Sequence, residues 1–231
     1  MNHLAIVVIF LAVCGTTEAM PKARRLRNAV DFYGPATSEQ LQCLKDSDHA
    51  KVIFCALDIY NGQLDKYVLA NTRSAQEVHL DVEYYMTPLT RSQKRGAEQF
   101  KVVYDGLASG GFNTTFIWIQ VINSYHFHQD QEENVALINE IVAAAEQHDV
   151  GVGIYTTEQD WTEITNGASI DNVQLWYVHT RLMGHPTAAD FSDFNPFANF
   201  TSPHMKQYAQ SQWICHAFMN RNVYRDEPRN N

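Results

Sequence analysis

Cysteine is scarce, with four residues in 231. That excludes a small scaffold held together mainly by disulfides. No Cys-x-x-Cys, phosphate-cradling Gly-rich loop or Ser/His/Asp nucleophile signature occurs. The sequence therefore lacks the marks of thioredoxin-like redox, P-loop nucleotide and triad chemistry. Basic charge is also in deficit: 17 Lys and Arg stand against 26 Asp and Glu, for a net charge of −9. A chain of that balance is a poor general ligand for nucleic acid or anionic membranes. Beyond residue 13 no apolar run approaches the length of a bilayer span. There is no low-complexity linker and no internal repeat, which leaves a single domain.

What is present begins with a secretory pattern. Residues 4–13 are apolar but too few to cross a bilayer, and Thr17-Glu18-Ala19 supplies small residues at a cleavage site. The expectation is a signal peptide over 1–19, a basic lead-in over 20–27, one domain over 28–225 and a polar tail over 226–231. The implied localisation is extracellular. Cleavage removes Cys14 and leaves Cys43, Cys55 and Cys215, enough for one internal disulfide and one free thiol. Asn113-Thr114-Thr115 and Asn199-Phe200-Thr201 are glycosylation sequons, meaningful in a secreted chain.

A strand–helix rhythm follows. Apolar, β-branched segments at 28–32, 51–59, 80–86, 115–122, 150–155, 174–179, 205–209 and 217–224 read as strands. Thr37-Ser38-Glu39-Gln40 and Thr90-Arg91-Ser92-Gln93 read as capping boxes, the second opening a helix that runs to Gly110. Residues 65–78 and 157–164 read as shorter helices. Asp130 with Glu133 opens the clearest one, whose Val135, Ile138, Ile141, Val142 and Ala145 recur at helical spacing. Alternation of this kind predicts an α/β fold: a single modified (β/α) barrel of about eight mostly parallel strands. In a closed barrel the first and last strands are neighbours. Cys43 on the first helix and Cys215 beside the last strand are therefore the expected disulfide, with Cys55 the buried thiol.

Side chains alternate across a strand. Asp31 then points into the barrel, as do Asp81, Glu83 and Tyr85 of the third strand. The fourth strand sends in Phe116, Trp118, Gln120 and Ile122, and the fifth Gly151, Gly153 and Tyr155. Trp176 and its neighbours up to His179 lie toward the end of the sixth strand. Barrel chemistry sits at the C-terminal strand ends, and aromatics there can serve as platforms for sugar rings.

Several segments carry a resemblance. Phe116-Ile117-Trp118-Ile119-Gln120-Val121-Ile122 resembles the fourth strand of the family 25 glycoside hydrolases, the lysozymes that cut bacterial cell walls. That strand ends in a W-x-D-x-E motif, and here Gln120 and Ile122 occupy the two acid positions. Ala29-Val30-Asp31 resembles the first strand and its groove Asp. Gly153-Ile154-Tyr155-Thr156, Leu175-Trp176-Tyr177-Val178-His179, Lys206-Gln207-Tyr208 and Asn220-Arg221-Asn222-Val223-Tyr224 resemble later strands, with Asn220 in place of an Asp. The likeness is nearest to invertebrate and protist-type lysozyme-like proteins.

The resemblance implies a secreted protein acting on bacterial peptidoglycan in innate defence or digestion. It implies weak or absent muramidase activity, because glycoside hydrolysis normally uses two carboxyl groups. The alternatives are a glycan-binding pseudoenzyme, or a hydrolase with relocated acids, Asp31 and Glu83. Tyr85, Trp118, Tyr155, Trp176, Gln207 and Asn220 are the expected groove residues. The implied partner is cell-wall glycan, with no nucleic acid or membrane partner, and the chain is expected to be a monomer without cofactor. His126 and His128 could hold a metal only with a third ligand, so no metal site is expected.

Overall fold

The computed structural model describes residues 25–226. The expected signal peptide and nearly all of the tail lie outside them. Eight strands close into one barrel in chain order. They are β1 (Leu26–Phe32), β2 (His49–Cys55), β3 (Asp81–Met86), β4 (Phe116–Val121), β5 (Gly151–Thr156), β6 (Val173–Val178), β7 (Met205–Ile214) and β8 (Ala217–Arg225). Strands β1 to β7 run parallel, and β8 runs antiparallel to both β7 and β1, closing the barrel. The helices are α1 (Ser38–Asp46), α2 (Val68–Glu77), α3 (Gly96–Ser109), α4 (Gln131–Glu146) and α5 (Glu158–Thr165). Among the described residues no helix is long and apolar enough to cross a membrane.

The core has two layers, as strand alternation requires. Ile117, Ile119 and Val121 of β4 face the helices, in a cluster with Leu41, Phe100, Ile138 and Ile141. Trp118, Tyr155, Trp176, Tyr85 and Ile53 fill the barrel interior. Burying each such side chain fully contributes on the order of 1.5–3 kcal/mol. Gly153 has its place for a steric reason: a Cβ there would collide with the Trp118 ring.

Boundaries differ from the sequence reading where tertiary contacts intervene. Leu26 and Arg27 of the basic lead-in join β1, because β8 reaches far enough to pair with them. Strand β2 stops at Cys55 rather than residue 59. The Thr90–Gln93 box does not open α3; that helix is capped by Arg95, whose backbone N–H donates to Glu98 at 2.8 Å. Residues 89–94 form a turn held by Gln99, which bonds Leu89 N, Leu89 O and Lys94 O. Strand β7 runs five residues past the expected end at 209 and turns into β8 through Cys215 and His216, with φ of 49° and 65°. Positive φ at both central residues matches the twist of a two-residue hairpin.

No α-helix covers the gap between β6 and β7. The intervening loop is pinned instead by Asp193, which accepts from Lys206 Nζ at 2.6 Å, Tyr177 Oη at 2.7 Å and pairs with His179 Nδ1 at 2.7 Å. The expected disulfide forms: Cys43 and Cys215 are bonded, with Cα atoms 5.7 Å apart, and Cys55 is a buried free thiol.

Candidate functional site

Asp31 sits one residue before the end of β1, facing inward and only 3% exposed. Its carboxylate is held by three amides. Gln207 Nε2 and Asn222 Nδ2 donate to Oδ1 at 2.9 and 2.7 Å, and Asn220 Nδ2 donates to Oδ2 at 2.9 Å. Burial pushes its pKa above the ordinary carboxylate value, against the lowering effect of the Asn222, Asn220 and Gln207 hydrogen bonds. The network extends outward. Gln207 Nε2 also reaches Tyr155 Oη at 2.7 Å, Gln210 Nε2 donates to Gln207 Oε1 at 2.7 Å, and Trp176 Nε1 donates to Asn222 Oδ1 at 3.0 Å. The structure thus joins Asp31, Tyr155, Trp176, Gln207 and Asn220 from the expected set. Asn222 was not singled out, although Asn220-x-Asn222 alternation on β8 signals two inward amides.

Gln120 lies at the same mouth and accepts from Thr87 Oγ1 at 2.6 Å. Ile122, one residue past β4, is partly buried against the interior cluster. Burial holds the Tyr155 phenol well above its ordinary pKa, so it stays neutral. Its ring stacks on Trp176 at 3.9 Å. The network therefore joins one carboxylate, several amides and a neutral phenol. Nothing at the two motif positions can donate a proton as an acid.

Glu83 faces inward but one pleat below Tyr85. It is ion-paired with Lys51 and accepts from Trp118 Nε1 at 2.6 Å. Lys51 in turn lies over the Tyr224 ring, 4.0 Å from its centroid. This is a satisfied polar group packed inside the lower barrel. Asp81, two residues earlier on the same face and paired in register with Lys51 of β2, is the first residue of β3 and lies exposed at the lower end of the barrel.

Tyr85, Trp118, Tyr155 and Trp176 are at most 8% exposed. Their faces are occupied by one another, as in the Tyr85–Tyr155 and Trp118–Trp176 contacts. They shape the floor of the mouth and offer no open ring face. Among the described residues the exposed aromatics are others: Tyr33, Tyr60, Tyr125, Trp213 and Phe218. Tyr60 and Tyr125 line a cleft of about 540 Å³ with Thr87, Pro88, Arg91 and His126. His126 and His128 bring no third ligand, and among the described residues no group of three or more His, Cys, Asp or Glu could hold a metal. Asn113 and Asn199 are both exposed, and the Asn199 Nδ2 donates to Ile170 O at 2.8 Å.

Comparison with known proteins accords with this architecture. A family model described as Lysozyme-like protein 1 matches residues 22–208. Lysozyme-like protein 2 of Caenorhabditis elegans is 37% identical over 205 residues, covering 85% of this chain and 72% of the relative. A probable GH family 25 lysozyme 2 of Dictyostelium discoideum is 27% identical, covering 93% of this chain and 95% of the relative. The solved structure of a family GH25 lysozyme from Aspergillus fumigatus superposes with a TM-score of 0.66 at 15% identity, over 88% of this chain and 95% of that one. The chain belongs to the lysozyme-like protein family, built on a barrel of the glycoside hydrolase family 25 type.

Proposed function

We propose that this is a secreted lysozyme-like protein that binds bacterial cell-wall peptidoglycan in innate defence or digestion, with little or no muramidase activity of the usual kind. The observation that carries the reading is the mouth itself. Asp31 and its amide network are intact, while Gln120 and Ile122 stand where the resembled motif has its acids. Loss of general acid catalysis alone lowers a rate by about 10²–10⁴. A mouth of amides around Asp31, with Gln120 bonded to Thr87 on the wall of an open cleft, still suits hydrogen bonding to sugar hydroxyls and acetamido groups.

The relocated-acid reading has less support. Glu83 is engaged by Lys51 and Trp118 below the mouth, so its carboxylate is not directed at a bound glycan. The Cys43–Cys215 disulfide supports an oxidising compartment and hence secretion. On this reading the protein works as a monomer without cofactor.

A paired assay tests the reading. Purified protein is incubated with insoluble peptidoglycan, and sedimented protein and loss of turbidity are both followed. Co-sedimentation without clearing is expected. Robust clearing, abolished by Glu83→Gln, would instead establish hydrolysis with relocated acids.

A further inference from the structure

Trp213 on β7 and Phe218 on β8 are direct cross-strand partners near the tip of the last hairpin. Their rings meet edge to face at 5.0 Å, yet remain 64% and 67% exposed. Single exposed aromatics are ordinary. A paired set held on a fixed hairpin above a polar mouth is not.

Three observations place the pair over the mouth. Strand alternation puts Phe218 on the same face of β8 as Asn220 and Asn222, the amides that hold Asp31. The opposite face of the hairpin, carrying Met219, Ile214 and Ala217, is packed into the helix-side core. Asn220 links the two regions directly, donating to Asp31 while its Oδ1 accepts from Ser211 N at 3.0 Å.

The hairpin is also held in place. Its turn residue Cys215 is bonded to Cys43 of α1. A platform fixed before binding loses little freedom when a ligand arrives.

We propose that the Trp213–Phe218 pair is a saccharide subsite, a stacking platform for the apolar face of one hexose ring in a glycan whose next units lie over Asp31. This rests on the glycan-binding reading above. The adjoining hairpin side chains Gln210 and Ser211 are uncharged hydrogen-bonding groups. They suit a neutral sugar better than a charged headgroup or a basic partner.

The chain carries its own reporter. Of its four tryptophans, Trp118, Trp161 and Trp176 are fully buried. Quenching by iodide therefore reads Trp213. The probe is the N-acetylglucosamine hexamer, titrated against the full processed protein. The hexamer is expected to shield Trp213 and shift its emission to the blue. Phe218→Ala, which keeps the reporter, and Trp213→Ala, followed by calorimetry, are each expected to weaken hexamer binding by about tenfold. Trp213→Tyr is expected to retain most of it, and all three variants to melt like the parent.

Hexamer binding that leaves Trp213 equally quenchable, or that survives both alanine variants, overturns this inference and leaves the glycan reading standing. Failure of the parent to bind either hexamer or insoluble peptidoglycan overturns the glycan reading, and this inference with it. Shielding of Trp213 by phosphatidylcholine vesicles but not by hexamer assigns the pair to a membrane surface and overturns the proposal.

Discussion

Asn220 donates its side-chain amide to Asp31 at 2.9 Å, at the position where the resembled closing strand carries an acid. Two carboxylates at that separation could not both ionise at neutral pH. The amide removes that conflict and supplies a donor. Asp31 is thus kept as a hydrogen-bond acceptor in a site whose other motif acids are gone.

Restoring the motif tests how much of the machinery survives. Gln120→Asp combined with Ile122→Glu is expected to raise peptidoglycan hydrolysis from background by on the order of 10²-fold. The new buried acids are expected to destabilise the barrel by roughly 1–4 kcal/mol. Turbidity clearing and thermal melts of the double variant measure the two effects. Unchanged clearing in a folded variant would mean that the groove geometry has also been lost.

Asp31 imposes a pH dependence of definite sign. Burial raises its folded pKa above the ordinary carboxylate value, outweighing its three amide hydrogen bonds. The folded state therefore holds the proton more tightly than the unfolded chain. Its contribution to stability is fully present below the unfolded pKa and is lost as pH rises through the folded one. In Asp31→Asn this component vanishes. Melting curves taken across the acid range are expected to show the parent losing ground to the variant as pH rises from about 4. A constant difference across that range would contradict the assignment.

Asp193 carries the opposite sign. Burial acts to raise the Asp193 carboxyl, but hydrogen bonds from Lys206, Tyr177 and His179 together hold it below the ordinary value. Its contribution is present above the unfolded pKa and lost as pH falls through the folded one. Lys206 is fully buried and Asp193 largely so. Asp193→Ala is expected to cost about 3–5 kcal/mol, because it strands a buried ammonium. That corresponds to a melting temperature lower by roughly 10 °C. Lys206→Met with Asp193→Ala is expected to be milder than Asp193→Ala alone, since no charge is left unpaired. A double-mutant cycle by thermal melting checks both statements.

The remaining thiol should be inert. Burial pushes Cys55 up to about 12, and its Sγ–H donates to Leu57 O at 3.3 Å. Only the thiolate is reactive. Native protein processed after Ala19 is expected to show no thiol reacting at neutral pH, and one after denaturation without reductant. Rapid labelling of the native protein would place Cys55 in an open environment instead.

Much of this was legible from the chain alone. Periodicity placed every strand and the five helices, and alternation put Asp31, Trp118, Gln120 and Tyr155 inside the barrel. Chain order made β1 and β8 neighbours, and with them Cys43 and Cys215. These features depend on local pattern or on closure, which short stretches of sequence carry. What remained hidden depends on levels and surfaces. Glu83 and Asp31 both point inward, but only the stagger of the closed barrel sets Glu83 below the mouth beside Lys51. Tyr155 and Trp176 look the same in sequence as Trp213 and Phe218. The first two bury their faces against each other, while the last two stand on a hairpin whose register depends on positive φ at Cys215 and His216. Residue identity and spacing determined the barrel and its missing acids. Tertiary structure decided which carboxylate lies at the mouth and which rings meet solvent, because both depend on contacts between residues far apart in the chain.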